Sequence, residues 1–208
     1  MSKIDNIVII DYGMGNLRSV YNKFKRMGND CIISSRKEDI ESAKKLVLPG
    51  VGHFKYGMDN LHKFDLIETL NKKVIYEKIP ILGICLGTQL FCKHSEEGDC
   101  DGLAWIDAEV IKFKVSDRLK YKVPHMGWNN VSVRNSNNLD KEIDSEAKFY
   151  FVHSYHLNCN DPSDIWMTSE YDYEFVSAVH KDNIYGTQFH PEKSHDVGYE
   201  LLKKFVEF

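Results

Sequence analysis

Four short apolar runs constrain this chain more than any other feature: NIVIID (residues 6–11), CII (31–33), KLVL (45–48) and the stretch 79–84, IPILGI. They are apolar along their length rather than alternating with polar residues, the pattern of strands covered on both faces. The segments between them are mostly helical and charge-rich. After the turn DYGMGN, Leu17, Val20, Tyr21, Phe24 and Met27 recur at helical spacing as far as Gly28, a C-terminal stop. Strand alternating with helix predicts an α/β fold with a mostly parallel, doubly wound sheet flanked by helices. From about Gly102 the runs change to AEVIKF, NNVSV, KFYFVHS, DIWMTSEY, FVSAV and IYGTQF, followed by an amphipathic segment near residues 197–205. These predict antiparallel strands added to the same core and a closing helix.

The 208 residues suit one domain, 1–208, able to bury a full core without disulfides or metal. The polar stretch 133–148 is expected to be a surface excursion rather than a boundary, and the charged KEDIESAKK (37–45) a solvated helix face. A net charge of -4 gives no footprint for nucleic acid, and no apolar run approaches a membrane span. With no basic, apolar leader at Met1, a cytoplasmic protein is expected. Its five cysteines, Cys31, Cys85, Cys92, Cys100 and Cys159, contain no CxxC pair, so reduced thiols are expected rather than a disulfide framework or zinc site. His94, His125, His153, His156, His180 and His195 lack ligand spacing, and no metal or cofactor is called for.

GICLG, residues 83–87, follows an apolar run and precedes a helical segment. That is the layout of a nucleophile elbow, with sulfur in place of oxygen and flanking glycines removing side chains that would collide. A helix beginning at Leu86 would favour a Cys85 thiolate, and the Leu86 N–H could donate to an oxyanion. Read alone, a cysteine after an apolar strand is as often core. GTQFHPEKS, residues 186–194, adds a base and its orienter: on an extended chain His190 and Glu192 project to one side, so that Glu192 holds the imidazole while His190 faces the thiol. LVLPGVGHF, residues 46–54, adds a strand that stops at Pro49 and opens into a glycine loop, whose N–H groups near Val51 and Gly52 suit an oxyanion. The glycine pair of DYGMGN is no dinucleotide fingerprint, because Arg18 stands at the third glycine position and no acid stands at the expected place, around Ser34 and Ser35.

GICLGTQLF, HPEKS and LVLPGVGHF together resemble the class I (triad-type) glutamine amidotransferases; IDYGMGNLRSV, SEEG, KVPHMGWN and FVHSY narrow the resemblance to glutaminase subunits that serve histidine biosynthesis. The resemblance runs from Asp11 to Ser194. It implies L-glutamine as substrate, Cys85 as nucleophile, His190 and Glu192 as its partners, and an oxyanion held by Leu86, Val51 and Gly52. It implies glutamine contacts at Gln89 and Glu97 and, for the amino-acid end, at Ser154 and Tyr155. It also implies a synthase/cyclase partner of barrel fold that receives ammonia, with Tyr150 near the ammonia passage and His125, Met126, Trp128, Asn129 and Lys193 at or near the interface, PHMGW being expected in a loop. The DYGMGN turn is implied to lie near the partner. Around FVHSY, strand alternation predicts His153 and Tyr155 on one side and His156 on the other, one packed and one solvated. GLAWIDAEVIKF departs from the family's glycine-containing stretch at Trp105 and Asp107, which leaves a paralogue feeding a sugar acceptor as the alternative.

Overall fold

The computed structural model describes residues 6–140, 143–144 and 146–208. The first half is strand and helix in alternation: β1 (Ile7–Ile10), α1 (Leu17–Arg26), β2 (Cys31–Ser34), α2 (Lys37–Ser42), β3 (Lys45–Gly50), α3 (Phe54–Lys63), α4 (Ile67–Asn71, running into a π-helical turn, Lys72–Tyr76), β4 (Ile81–Cys85) and α5 (Leu86–Gln89). The second half adds β5 (His94–Ser95), β6 (Cys100–Asp101), β7 (Ala108–Lys112), β8 (His125–Asn130), β9 (Ser132–Val133), β10 (Lys148–His153), β11 (Tyr155–Cys159), β12 (Ile165–Tyr171), β13 (Tyr173–Lys181), β14 (Ile184–Thr187) and α6 (His195–Glu207).

The main sheet runs β2-β1-β3-β4-β14-β13-β11-β7-β5-β6, with β12 pairing β13 and β9; β8 and β10 pair separately. β1 to β4 are parallel, as the apolar runs predict. β14 is antiparallel to β13, as expected of the later strands, but on its other side it pairs β4 in parallel, Ile184 opposite Ile81. The chain thus returns to the middle of the sheet late in its course. The four residues of β1 are fully buried and alternate between two cores, Val8 and Ile10 with Leu46, Leu48 and Leu61 on one face, Ile7 and Ile9 with Val47, Leu82 and Phe205 on the other. Each such side chain contributes roughly 1.5–3 kcal/mol by leaving water, which is why both faces must be apolar.

Three expectations need correction. Pro49 does not end β3, which continues to Gly50 in register with Cys85. Lys45, at the end of the solvated stretch, is buried at the start of β3, its ammonium bonded to the carbonyls of Phe205 and Val206 in the last turn of α6. The excursion 133–148 is only partly superficial: Leu139 and Asp140 are buried, and Trp166 Nε1 donates to Asp140 Oδ2 at 2.6 Å. Residues 141, 142 and 145 of that stretch lie outside the described residues.

Candidate active site

β4 delivers Cys85 to the carboxyl edge of the sheet in the left-handed region, φ +55° and ψ −109°. A side chain there costs about 1–3 kcal/mol and persists only where the surroundings impose it. Two close approaches do so. A Cβ on Gly87 would stand 1.7 Å from the Leu48 carbonyl oxygen, and one on Gly83 would stand 2.6 Å from the Phe91 ring and 2.8 Å from Thr88 Cα. Thr88 Oγ1 then ties the turn to β14 by donating to the Thr187 carbonyl at 2.8 Å. Gly87→Ala should therefore force β3 away from the elbow and destabilise the protein by about 3 kcal/mol or more, read as a lowered urea midpoint; an unchanged midpoint would show the approach to be slack. The helix after Cys85 is shorter than expected, only the four residues of α5. Its macrodipole is correspondingly small, and what remains of that argument is the local Leu86 N–H.

His190 reaches Cys85 because β14 lies beside β4. It is buried, its backbone N–H donates to the Tyr150 carbonyl at 2.9 Å, and Ser194 Oγ donates to its carbonyl at 2.6 Å. Its Nδ1 meets Glu192 Oε1 at 2.8 Å, so the carboxylate fixes the proton on Nδ1. Glu192 does this from a 3₁₀ turn, Pro191–Lys193, rather than from the extended chain expected. His190 Nε2 and Glu192 Oε2 are buried with no hydrogen-bond partner among the described residues. Burial works against a charged His190, but the Cys85 sulfur and Glu192 outweigh it and push the imidazole pKa up to about 9. Cys31, Cys92, Cys100 and Cys159 are all raised, chiefly by burial, the last to about 12.

The glycine loop lies at the same edge. Gly50 pairs Cys85, Val51 is exposed and Gly52 has φ +134°. The DYGMGN turn packs directly on it: a Cβ on Gly15 would stand 3.0 Å from Gly50 Cα and 3.3 Å from the Val51 nitrogen. The Tyr12 hydroxyl, buried without a hydrogen-bond partner among the described residues, lies against Gly50. Glu97 Oε2 accepts from the Phe54 N–H at 2.8 Å, just beyond the loop. Val51, Gly52 and Leu86 are thus gathered around the Cys85 edge.

Gln89 is buried, and its Nε2 donates to the Tyr155 carbonyl (3.1 Å) and to Gln188 Oε1 (2.9 Å). Gln188 Nε2 in turn approaches Cys85 Sγ at 3.6 Å. Sequence reading missed Gln188, although its place two residues before His190 was a usable signal. Glu97, Ser154 and Tyr155 line one groove with Lys112 and Phe113. The strand expected through FVHSY breaks at Ser154, where the chain leaves the β8–β10 pair for the main sheet, so His153 and His156 are both buried.

PHMGW is mostly strand, not loop: β8 pairs β10 with Trp128 opposite Tyr150. Met126 and Trp128 are 62% and 45% exposed, Trp128 stacks on His195 at 4.8 Å, and Lys193 Nζ lies 5.6 Å from the Tyr150 ring centre. His125 is a correction. It is buried, opposite His153 in the β8–β10 register, and offers no surface to a partner. Trp105 and Asp107 also have local explanations, since Trp105 Nε1 donates to Asn71 Oδ1 at 2.7 Å and Asp107 pairs with Lys93 at 2.8 Å. Among the described residues no group of three or more His, Cys, Asp or Glu could hold a metal ion.

Residues 8–208 match the family Glutamine amidotransferase class-I. The chain belongs to that family. This class I glutamine amidotransferase is 53% identical over 201 residues to imidazole glycerol phosphate synthase subunit HisH 2 of Methanococcus maripaludis, covering 97% of this chain and 98% of that one. It is 47% identical to the subunit of the same name from Pseudomonas aeruginosa, with 97% and 98% covered. The glutamine amidotransferase fold also appears in two Thermotoga maritima structures. One, of PurLQS, has a TM-score of 0.73 at 14% identity and covers 98% of each chain. The other, a glutamine amidotransferase, has a TM-score of 0.66 at 19% identity and covers 99% of this chain and 100% of its own.

Proposed function

We propose that this amidotransferase is the glutaminase subunit of imidazole glycerol phosphate synthase, acting in histidine biosynthesis as one domain, residues 1–208. The relatives' names support that pathway and do not favour a sugar acceptor. The observation that carries the chemistry is the buried His190–Glu192 pair facing a cysteine held at positive φ.

In this reading Cys85 passes its thiol proton to His190 and its sulfur attacks the side-chain amide carbon of L-glutamine. The carbonyl π electrons move to oxygen, and the N–H groups of Leu86 and the Val51–Gly52 loop hold the oxyanion. His190 gives its proton to the departing nitrogen, the C–N bond breaks, and ammonia leaves a Cys85 thioester. Water, deprotonated by His190, then adds to the thioester carbonyl; the C–S bond breaks, glutamate leaves, and His190 returns the proton to the Cys85 sulfur. Gln89 and Glu97 position the substrate, and Ser154 and Tyr155 hold its amino-acid end. Ammonia released to water would be protonated and lost as a nucleophile, so it passes beside Tyr150 to a cyclase of barrel fold, which forms imidazole glycerol phosphate and an aminoimidazole carboxamide ribonucleotide. No cofactor, nucleic acid or membrane takes part, and the setting is cytoplasmic; among the described residues no helix is long and apolar enough to cross a membrane.

Met126, Trp128, Asn129, Tyr150 and Lys193 lie on or around the β8–β10 pair and form the docking face in this reading. Trp128→Ala should weaken the complex about tenfold or more, as loss of an aromatic anchor does, while leaving triad chemistry in the isolated chain unchanged. Titration of the purified cyclase subunit against glutaminase rate measures this. Glutamine turnover coupled to formation of imidazole glycerol phosphate tests the whole reading, and no turnover with that partner would overturn it.

A further inference from the structure

A chain of hydrogen bonds leads inward from β8 to the glutamine-contacting segment, and its direction can be worked out bond by bond. Asn129 has a fixed amide: its Oδ1 accepts from the Asn130 N–H at 2.9 Å and its Nδ2 donates to the Glu170 carbonyl at 2.8 Å. The same Nδ2 lies 3.4 Å from His125 Nε2, which must therefore accept. At the far end, His153 Nδ1 lies 2.7 Å from the Tyr155 carbonyl oxygen. A carbonyl only accepts, so this nitrogen carries the proton. Between the two, His125 Nδ1 meets His153 Nε2 at 3.0 Å. With each ring neutral, His125 Nδ1–H donates and His153 Nε2 accepts. Both rings are buried and boxed by Phe113, Phe151 and Phe175, His125 also stacking on Tyr171 at 4.2 Å. Burial lowers the pKa of both, that of His125 to about 4, in keeping with neutral rings.

The Tyr155 carbonyl that ends this chain also accepts from Gln89 Nε2, and Gln89 holds Gln188, which approaches the Cys85 sulfur. We propose that His153 is a positioning residue for glutamine, and that His125 fixes its tautomer: His153 Nδ1–H pins the Tyr155 peptide, and through it the orientation of Gln89 and the Ser154–Tyr155 segment. This rests on the glutaminase reading and adds to it a pair of histidines that touch no substrate. A neutral, directional relay suits the task because it satisfies both nitrogens of each of these two rings without adding a charge beside Cys85.

Substitutions at His153 separate positioning from packing. Phenylalanine keeps the aromatic volume and loses the donor; asparagine loses the volume but keeps a nitrogen donor near the place of Nδ1. Measured as glutamine turnover in the complex with the cyclase subunit, His153→Phe is expected to raise KM about tenfold, the worth of one well-placed hydrogen bond, with kcat changed less than about threefold. His153→Asn is expected to restore KM to within about threefold of the unmodified protein even though it is the less stable of the two by thermal melting. A purely structural role predicts the reverse order, Phe near normal and Asn worse, and that result would overturn the proposal. Independently of any variant, long-range ¹H–¹⁵N correlation spectra of the unmodified protein should show His125 and His153 both as the less common Nδ1–H tautomer; Nε2–H on either ring would overturn the relay. Failure of the glutaminase reading would instead appear as no turnover by the unmodified complex.

Discussion

Cys85→Ala should reduce glutamine turnover by about 10⁴-fold or more, the scale of losing a covalent nucleophile from a triad, while the thermal midpoint stays close to that of the unmodified protein. The fold should survive because the elbow is imposed from outside the side chain, by the approaches at Gly83 and Gly87 and by the Thr88–Thr187 bond. Alanine at φ +55° bears the same backbone cost as cysteine and leaves only a sulfur-sized gap. A companion measurement identifies the thiol directly. A glutamine-mimicking electrophile should attach to Cys85 and spare the other four cysteines, whose thiol pKa values are raised and two of which, Cys31 and Cys92, are buried on other strands and turns. Peptide mass spectrometry reads the site of attachment; a label chiefly on Cys100 or Cys159, both only half-buried, would remove Cys85 from its role.

The parallel sheet was legible because its strands are buried on both faces, a demand that leaves a continuous apolar run in the sequence. The elbow was legible for a related reason: Gly83 and Gly87 are steric necessities, one under the Phe91 ring and one against the Leu48 carbonyl. What could not be read locally were contacts made by long-range pairing. Nothing in IYGTQF says that β14, antiparallel to β13 on one side, also runs parallel to β4 on the other, yet that second pairing brings His190 to Cys85. The turn at Ser154 likewise sends two halves of one apparent strand into different sheets, which buries both His153 and His156 and defeats the alternation argument. The burial of His125, expected at or near the interface, went unread for the same reason: its ring faces the one opposite it on β10. Lys45 shows the limit of charge as a guide to exposure: three apolar neighbours in KLVL were better evidence for a strand than one ammonium was against it, and the carbonyls of α6 supply what water would have given.

His190→Ala should cost about 10³-fold or more in turnover, since it removes both the acid for ammonia and the base for water, and Glu192→Ala should cost about tenfold to a hundredfold less, as an orienter of the ring. The pH dependence distinguishes the two roles. In the folded protein His190 keeps its proton up to about 9, against an ordinary value of 6.5, because the Cys85 sulfur and Glu192 outweigh burial. The raised value means that the protonated ring adds stability in full below about 6.5 and that this contribution is lost as pH rises through about 9. Urea unfolding from pH 6 to pH 10 should therefore show a decline in the unmodified protein that is blunted in His190→Ala. Turnover should fall along the same high-pH limb as the ring loses the proton it gives to ammonia. Removing Glu192 withdraws one of the charges that raise the pKa, so in Glu192→Ala the limb must move toward lower pH. Initial rates for the two proteins across that range, taken with the cyclase subunit saturating, measure the displacement; a limb that stayed in place or moved upward would mean that Glu192 does not hold His190 in its charged form.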